Sequence, residues 1–369
     1  MEPTDFRELL IGQGARWPEA NAAPADFGNR HGEYSRGQSE AALFVQGDLA
    51  WFEVTGDDRA KYLHNFCTND VKRLVPGQGC EAFVTSVQGK ILAHVHLFCG
   101  QTAIRVVTTA AAADRLLMHW EKYHINEACE FHDRRSAWAS LLAVGPDAAE
   151  RLTTLGLAAP SLGVRNHFWF DTPPQQMHVA RVDWLGQPGF LLTVERTQLS
   201  ETWERLVAAG LAQAGQLAFD ALRIEACYPQ YGTDLTDANL AQEAHRDAQA
   251  ISFSKGCYLG QEPIARIDAL GHVNQELRGL RFQSPVMPPV GTALFSSTAA
   301  DAKSVGKITS ITLSPSDDLP VAIGLIRRGF LEPGQPLLAR WNEETPAASE
   351  AAATGFTCEN PAQVFWTGP

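Results

Sequence analysis

The stretch KGCYLGQE, residues 255–262, places a cysteine two residues after a lysine and between two glycines. A thiolate forms more readily beside a cation and backbone N–H groups, so Lys255 is a candidate partner for Cys257. Gly256 and Gly260 permit a positive φ and a close backbone approach. Pro263 suits the first turn of a helix, which predicts that Cys257 lies near a helix N-terminus. The pattern fits a reactive thiol with Lys255 in support, and a buried cysteine in a tight structural loop is the alternative.

A second candidate pair, Arg223 and Glu225, lies in the stretch LRIEA. On a strand or an extended turn, residues two apart share a face. A buried carboxylate at that position could accept hydrogen bonds from the N–H groups of a planar heterocycle. A structural ion pair is the other interpretation of the same two residues.

Two histidines, His94 and His96, alternate on a predicted strand and so share one face. They could begin a metal site, but no third ligand is evident nearby. We therefore predict a half-exposed strand and no metal.

Cysteine spacing points to a reducing environment. The seven cysteines are widely spaced and include no C-x-x-C pair, which removes the commonest zinc and redox motifs. Most are expected to be reduced and partly buried, as in a cytoplasmic protein. The start MEPTDFRELL has no basic segment before an apolar run, so we expect no secretory signal.

Length and charge limit the classes of protein to which this chain can belong. With 369 residues, two or three compact units are expected. The net charge of −12 argues against nucleic acid or an anionic membrane as a partner, and no apolar run is long enough to cross a bilayer. The chain has no phosphate-binding G-x-x-x-x-G-K-[ST] loop, no G-x-G-x-x-G and no G-x-S-x-G.

Hydrophobic periodicity divides the chain into four parts. Residues 1–40 are predicted to be an extension with one helix followed by a loose segment, and residues 41–272 an α+β region. Two hairpins are predicted there, turning at residues 46–48 and 88–90. Short strands between Pro and Gly turns predict a small β-barrel over residues 273–345, with a loose tail over 346–369.

The octapeptide KGCYLGQE, preceded by LRIEA and followed by GHVNQELRGL, resembles the YgfZ family of folate-binding proteins. That family lies within the superfamily of the glycine-cleavage T-protein, an aminomethyltransferase. The resemblance implies an α+β fold of two intertwined subdomains plus a C-terminal β-barrel, around a central opening that binds tetrahydrofolate. It also implies a role in assembly or repair of iron–sulfur clusters in client enzymes, including some that modify tRNA.

The resemblance also assigns residues. Glu225 falls where the superfamily holds the pterin ring, with Arg223 just before it. Tyr231 belongs to a shared Y-G-x-D stretch, and Cys257 stands where T-proteins commonly have aspartate. Around the thiol loop, the implied folate contacts are Tyr258, Gln261, Glu262 and Arg266. Arg266 either neutralises the carboxylates of the folate tail or pairs with Glu262.

One departure from the T-protein pattern bears on activity. The acids of its G-G-I-x-D-D-L-like strand are replaced here by Ala93 and His94 in GKILAHV. Neither side chain can do a carboxylate's work on the folate nitrogens. Aminomethyl transfer is therefore the alternative function, and a scaffold that has lost folate is a third. Cys227, where the family usually has glycine, either packs or lines the same pocket as Glu225.

Overall fold

The computed structural model describes residues 4–18, 22–159, 162–172, 175–299, 301–343 and 356–366. The helices are α1 Thr4–Gly12, α2 Arg30–Ser39, α3 Arg59–Phe66, α4 Ala110–Tyr123, α5 Ala148–Thr154, α6 Leu199–Ala208, α7 Gln216–Glu225, α8 Asp247–Ala250 and α9 Gln261–Leu270. The strands of the α/β part are β1 Ala42–Val45, β2 Leu49–Thr55, β3 Gly79–Thr85, β4 Ile91–Cys99, β5 Ala103–Thr109, β6 Glu130–Asp133, β7 Trp138–Val144, β8 His167–Thr172, β9 Gln175–Val182, β10 Gly189–Glu195 and β11 Ala212–Ala214. Those that follow are β12 Gln275–Phe282, β13 Ala293–Phe295, β14 Ser304–Leu313, β15 Pro320–Arg327, β16 Pro336–Glu343 and β17 Phe356–Trp366.

Two sheets form the α/β part. Sheet 1 has the order β11-β1-β7-β10-β9-β8, and sheet 2 has the order β3-β4-β5-β2-β6. The predicted hairpin at residues 88–90 is confirmed, since β3 and β4 pair antiparallel across it. The one at residues 46–48 is wrong: β1 pairs with β7 and β11, whereas β2 pairs with β5 and β6. Residues 46–48 carry the chain from one sheet to the other.

Apolar side chains fill the spaces between these layers. One cluster lies between the two sheets and includes Trp51 and Phe98 of sheet 2 and Leu142 and Leu191 of sheet 1. A second cluster packs α3 and α4 against sheet 2, and a third packs α1, α5 and α6 against sheet 1. Both sheets thus have apolar side chains on each face, which explains their nearly continuous burial along β4, β7 and β10.

The C-terminal strands form a barrel in the order β12-β15-β14-β13-β16-β17, closed by pairing of β12 with β17. This agrees with the predicted barrel but corrects its end. The predicted loose tail, residues 346–369, contains β17, which pairs with both β16 and β12. The rest of that tail lies outside the described residues.

The N-terminal extension is also more ordered than predicted. Its first helix, α1, is confirmed, but the supposedly loose segment contains α2. The side chain of Asn29 accepts from the N–H of Gly32 at 3.0 Å and caps that helix. The buried carboxylate of Glu33 accepts from the backbone N–H groups of Phe27, Asn29 and Gly215. This carboxylate ties the extension to the start of α7.

Among the described residues, no helix combines the length and the apolar character that a membrane crossing would need.

Candidate functional site

A cavity lies where sheet 2 meets the chain after α7, and we call it the inner cavity. The open space here is about 430 Å³, solvent at its mouth included, and it is lined by Gln46, Leu49, His94, His96, Val107, Thr108, Thr109, Trp184, Phe219, Tyr228, Pro229, Gln230 and Tyr231. A wider outer cavity of about 990 Å³ shares Gln46, Leu49, Thr109, Phe219 and Gln230 with it. The shared residues make the two spaces continuous, so the outer cavity is the entrance to the inner one.

Flat rings line the inner cavity. The rings of Trp184 and Tyr228 stack with centroids 5.7 Å apart, and His96 lies 5.3 Å from the Trp184 ring. The indole N–H of Trp184 donates to His96 Nε2 at 3.1 Å, which requires that this nitrogen carry no proton. Burial lowers the pKa of His96 to about 3, so the ring is neutral at physiological pH. The Tyr228 hydroxyl, 2.8 Å away, then donates to the same nitrogen.

A buried carboxylate organises the floor beneath these rings. Glu81 of β3 is fully buried; it bonds His94 Nε2 at 2.8 Å and is held by both Nε and Nη2 of Arg246. Arg165 adds a third cationic contact at 3.4 Å. Burial alone would raise the pKa of Glu81, but Arg246 and His94 reverse this and hold it well below its usual value. The carboxylate is therefore ionised throughout the physiological range.

This arrangement supplies the third ligand that sequence reasoning did not find. The ligand atoms of Glu81, His94 and His96 lie within 4.8 Å of one another. However, Arg246 and Arg165 surround the carboxylate, and Trp184 donates to His96 Nε2. A cation would have to displace these donors and sit beside two guanidinium groups. The geometry favours a hydrogen-bonded floor over a metal centre.

The predicted pterin contacts Arg223 and Glu225 do not line the inner cavity. They lie on α7 and not on a strand, so the expectation that they share a face of extended chain is wrong. Arg223 is buried and binds Asp234 at 3.0 Å and Asp220 at 2.6 Å. Its third donor bonds Ser310 of the barrel, which makes it a link between α7 and β14.

The carboxylate of Glu225 is likewise engaged. It accepts from the hydroxyl of Tyr34 in α2 at 2.6 Å and from Ser314 in the barrel at 2.5 Å. Burial and this carboxylate raise the pKa of Tyr34 to about 12. The neighbouring Cys227 is buried, with its Sγ against Gly279 of β12, where a Cβ would lie only 2.5 Å away. Cys227 therefore packs against the barrel.

Of the residues assigned by sequence to ligand binding, Tyr231 lines the inner cavity in the described part of the chain. Its hydroxyl accepts from Arg115 at 3.1 Å. Tyr258 is buried under Lys255, whose Nζ lies 4.5 Å from the ring centroid. Gln261 and Glu262 begin α9, and Arg266 is exposed further along the same helix.

The thiol loop lies apart from the lining of the inner cavity and packs on α3. Cys257 is exposed, while Cys67, Cys80, Cys99, Cys129 and Cys227 are buried, and all six are free. Gly260 has the predicted positive φ of 85° and sits where a Cβ would be 2.4 Å from the carbonyl of Ser86. Gln261 and Pro263 then open α9, as the sequence predicts.

Lys255 has a structural position. Its ammonium donates to the carbonyls of His64 and Cys67 at 2.6 Å and of Asn69 at 2.9 Å. An ammonium has three N–H donors, so all are used and none is left for Cys257. These carbonyls lie at and beyond the C-terminal end of α3, where a cation is stabilised by the helix dipole. The predicted pairing of this lysine with the thiolate is therefore not present in the structure.

Replacement of Lys255 by methionine is expected to lower the free energy of unfolding by about 2–3 kcal/mol, because buried carbonyls lose their donor. Urea unfolding followed by circular dichroism measures this. The control is Lys72→Met at an exposed lysine of the same region, which should change stability little. Equal stability of the two variants would contradict the capping role.

Sequence reasoning missed most of the cavity. His94 and His96 share a face as predicted, but the prediction of a half-exposed strand is wrong, because both side chains are buried. The strand pairing sets Glu81 directly across from His96. The acid at position 81, opposite the histidines in the other strand of the predicted hairpin, was the sequence signal that could have revealed this contact. The aromatic residues Trp184, Phe219 and Tyr228 carried no local signal, since only the fold brings them together.

Comparisons with known proteins agree with this architecture. The T-protein of the glycine cleavage system from Bartonella henselae superposes with a TM-score of 0.83, covering 97% of this chain and 95% of that one at 21% identity. An Arabidopsis thaliana protein named "Putative transferase At1g60990, chloroplastic" is 27% identical over 76% of this chain, and the alignment covers 65% of that protein, less than two thirds of its length. An aminomethyltransferase of Deinococcus deserti is 24% identical over 83% of each chain.

The structural likeness establishes a T-protein-like mixed α/β fold with a curled C-terminal sheet. A family model described as the GCVT N-terminal domain matches residues 8–253, which is more than half of the chain. The protein belongs to the GCVT N-terminal domain family.

Proposed function

We propose that this protein binds a reduced folate of the tetrahydrofolate type in the inner cavity and does not transfer an aminomethyl group. The observation that carries the proposal is the lining of that cavity. Its described lining presents aromatic rings and two imidazoles, and it includes no carboxylate.

The shape and polarity of the cavity suit a pterin. A planar heterocycle can stack against one of the flat rings that line the cavity, such as Trp184 or Tyr228, where stacking contributes beyond simple burial. The side-chain amides of Gln46 and Gln230, at the junction with the outer cavity, can both donate and accept hydrogen bonds. The wider outer cavity offers room for the folate tail. We place the pterin against these rings and not on Glu225, because Tyr34 and Ser314 already engage that carboxylate.

The proposed absence of aminomethyl transfer rests on the side chains of β4. Proton transfer at the folate nitrogens calls for a carboxylate of ordinary pKa within reach. Ala93 is apolar and fully buried, and His94 donates to Glu81 in the floor. Glu81, the acid beneath the cavity floor, is tied to Arg246 and bonded to His94, whereas Asp48 and Asp220 line the outer cavity and not the inner one.

Calorimetric titration with tetrahydrofolate tests the first half of the proposal, with one site per chain as the expected result. Leu49 lines both cavities, so Leu49→Trp should fill their junction and abolish binding. Ile125→Trp, at a side chain 86% exposed on the other side of sheet 2, is the matched control and should bind normally. No heat of binding with the unmodified protein would overturn the proposal and favour a scaffold without ligand.

We further propose that the protein is of the YgfZ type and supports iron–sulfur enzymes in the cytoplasm through Cys257. Support comes from the octapeptide and from the exposure of this thiol, in contrast to the other described cysteines. Cys257→Ala should keep folate binding and lose rescue of iron–sulfur enzyme activity in a strain lacking its own copy. Ser254→Ala, an exposed change in the same loop, should rescue fully. Full rescue by Cys257→Ala would refute the thiol role.

Aminomethyl transfer is the second candidate, and the names of relatives such as the Deinococcus deserti protein favour it. Tetrahydrofolate-dependent release of ammonia from an aminomethylated lipoyl carrier protein measures it directly. Turnover would reverse our ranking, and binding without turnover would support it.

A further inference from the structure

A second cavity, which shares no lining residue with the inner cavity, lies between the segment 241–250, the C-terminal end of α9 and the start of β12. We call it the acidic cavity. It measures about 530 Å³, and its polar lining comes from Gln242, His245, Asp247, Asp268, His272 and Glu276. The proposed folate role does not use any of these residues.

Two buried oxygens in this cavity lack partners. Gln242 is 5% exposed; its Nε2 donates to the carbonyl of Ile264 at 2.7 Å, whereas its Oε1 has no hydrogen-bond partner. Asp247 Oδ1 is likewise buried and unpaired. Nearly all buried polar groups in folded proteins are paired, so two unpaired acceptors lining one cavity indicate a missing donor or cation.

The charge of the cavity also indicates a missing cation. Glu276 is neutralised by His245 at 2.9 Å and Arg278 at 2.8 Å. Asp247 and Asp268 form no ion pair within the described part of the chain, so neither carboxyl group has a direct cationic partner there. The C-terminal end of α9 also lies here, with Asp268 and Gly271 in the lining, and the helix dipole places partial negative charge at that end.

One imidazole is oriented as a ligand. His272 Nδ1 lies 2.8 Å from the carbonyl of Leu270, an atom that only accepts, so the proton is on Nδ1. Its Nε2 then carries a lone pair. This is the usual arrangement of a metal-binding histidine, in which the second ring nitrogen donates to a carbonyl or carboxylate.

We propose that the acidic cavity binds one hydrated divalent cation of the Mg²⁺ or Mn²⁺ class. Carboxylate and amide oxygens are the ligands that these ions prefer, and Mn²⁺ also accepts imidazole. Among the described residues, the acidic cavity has no three His, Cys, Asp or Glu ligand atoms within 4.8 Å of one another. The ion therefore keeps several waters and contacts one or two carboxylates directly, which is the common mode of Mg²⁺.

Titration with Mn²⁺, followed by the loss of the free-ion electron paramagnetic resonance signal, tests this site. We expect one ion per chain, with Mg²⁺ competing. Asp247→Asn should weaken binding at least about tenfold, and Asp268→Asn should weaken it less because that residue is more exposed. Asp301→Asn, an exposed change on the barrel, is the matched control and should leave binding unchanged.

Dependence on pH provides a second readout. Of the groups in this region that carry charge, His245 and Arg278 pair with Glu276, and His272 also lines the cavity. A divalent cation binds ionised carboxylates and competes with protons for them, so Mn²⁺ affinity should rise as pH increases. In Asp247→Asn this rise should be lost.

The variants also separate this site from alternatives. Undiminished Mn²⁺ binding by Asp247→Asn would place the ion elsewhere, for example at Glu81, and would overturn the proposal. Displacement of Mn²⁺ by spermidine but not by Mg²⁺ would identify an amine site instead. Circular dichroism without metal shows whether each variant is folded. Since these readouts do not involve folate, the proposed function and this site can fail independently.

Discussion

Glu81→Gln is expected to lower the free energy of unfolding by about 3–5 kcal/mol, because it leaves the buried guanidinium of Arg246 without its counter-charge. Glu81 is fully buried, and Arg246 is 7% exposed. Stacking of Arg246 on Tyr228, 5.0 Å from the ring centroid, connects the ion pair to the cavity wall. The same variant should therefore weaken tetrahydrofolate binding as well as stability.

Urea titration monitored by circular dichroism and tryptophan fluorescence measures this loss. The control is Asp237→Asn, which removes a half-exposed partner of Arg115 and should cost less than about 1 kcal/mol. Glu81→Gln combined with Arg246→Met should be less destabilising than the sum of the single changes, because the second change removes the stranded charge. A cost for Glu81→Gln no larger than that for Asp237→Asn would show that the ion pair does not stabilise the floor.

Stability is expected to fall steeply as the pH drops from about 6.5 toward 4, where unfolded histidines take up protons. Four buried histidines resist protonation in the folded chain. Burial lowers the pKa of His96 to about 3 and of His119 and His167 to about 4, and holds that of His178 well below its usual value. The unfolded state thus binds more protons in this window, so acid favours unfolding.

Each of these histidines lowers the free energy of unfolding by about 1.4 kcal/mol for each pH unit of acidification in this window, so the four together lower it by roughly 5 kcal/mol per unit. Glu81 extends the loss of stability to lower pH. Its pKa is depressed in the folded chain, so its contribution to stability is complete above the unfolded pKa and disappears as the pH falls toward the folded pKa. Urea titrations at a series of pH values give the slope directly.

His119→Leu measures how much one histidine contributes to the slope of stability against pH. Its Nε2 is buried without a partner, so the change removes a titrating group without breaking a hydrogen bond of that nitrogen. The slope should fall by about one quarter of the four-histidine effect. Identical slopes in His119→Leu and the unmodified protein would contradict the assignment.

Local patterns predicted the elements better than the site. Alternation correctly placed His94 and His96 on one face, and the turn residues at 88–90 correctly predicted their hairpin. The turn residues at 46–48 gave the same local signal, yet there the partners of each strand lie far away in sequence. Turn chemistry fixes the local bend of the chain, whereas long-range pairing decides which strand lies alongside.

The misassigned helix α7 shows a related limit. Phe219, Leu222 and other buried residues of this segment recur at helical spacing, but the assignment of Arg223 and Glu225 depended on two residues alone. Their partners, Asp234, Ser314 and Tyr34, come from three different segments. A charged pair in sequence does not reveal whether it faces a ligand or another layer of the protein.

The crossing of the chain at residues 46–48 has a consequence for the order of folding. Sheet 2 is inserted between β1 and β7, which are neighbours in sheet 1. Within sheet 2, the first and last strands pair, with Phe52 opposite Asp133. Once these strands have met, the ends of the insertion are side by side, and the entropy cost of bringing β1 to β7 falls to that of a short loop. Sheet 2 then acts as the turn of a β1–β7 hairpin, and we expect it to form before sheet 1 is completed.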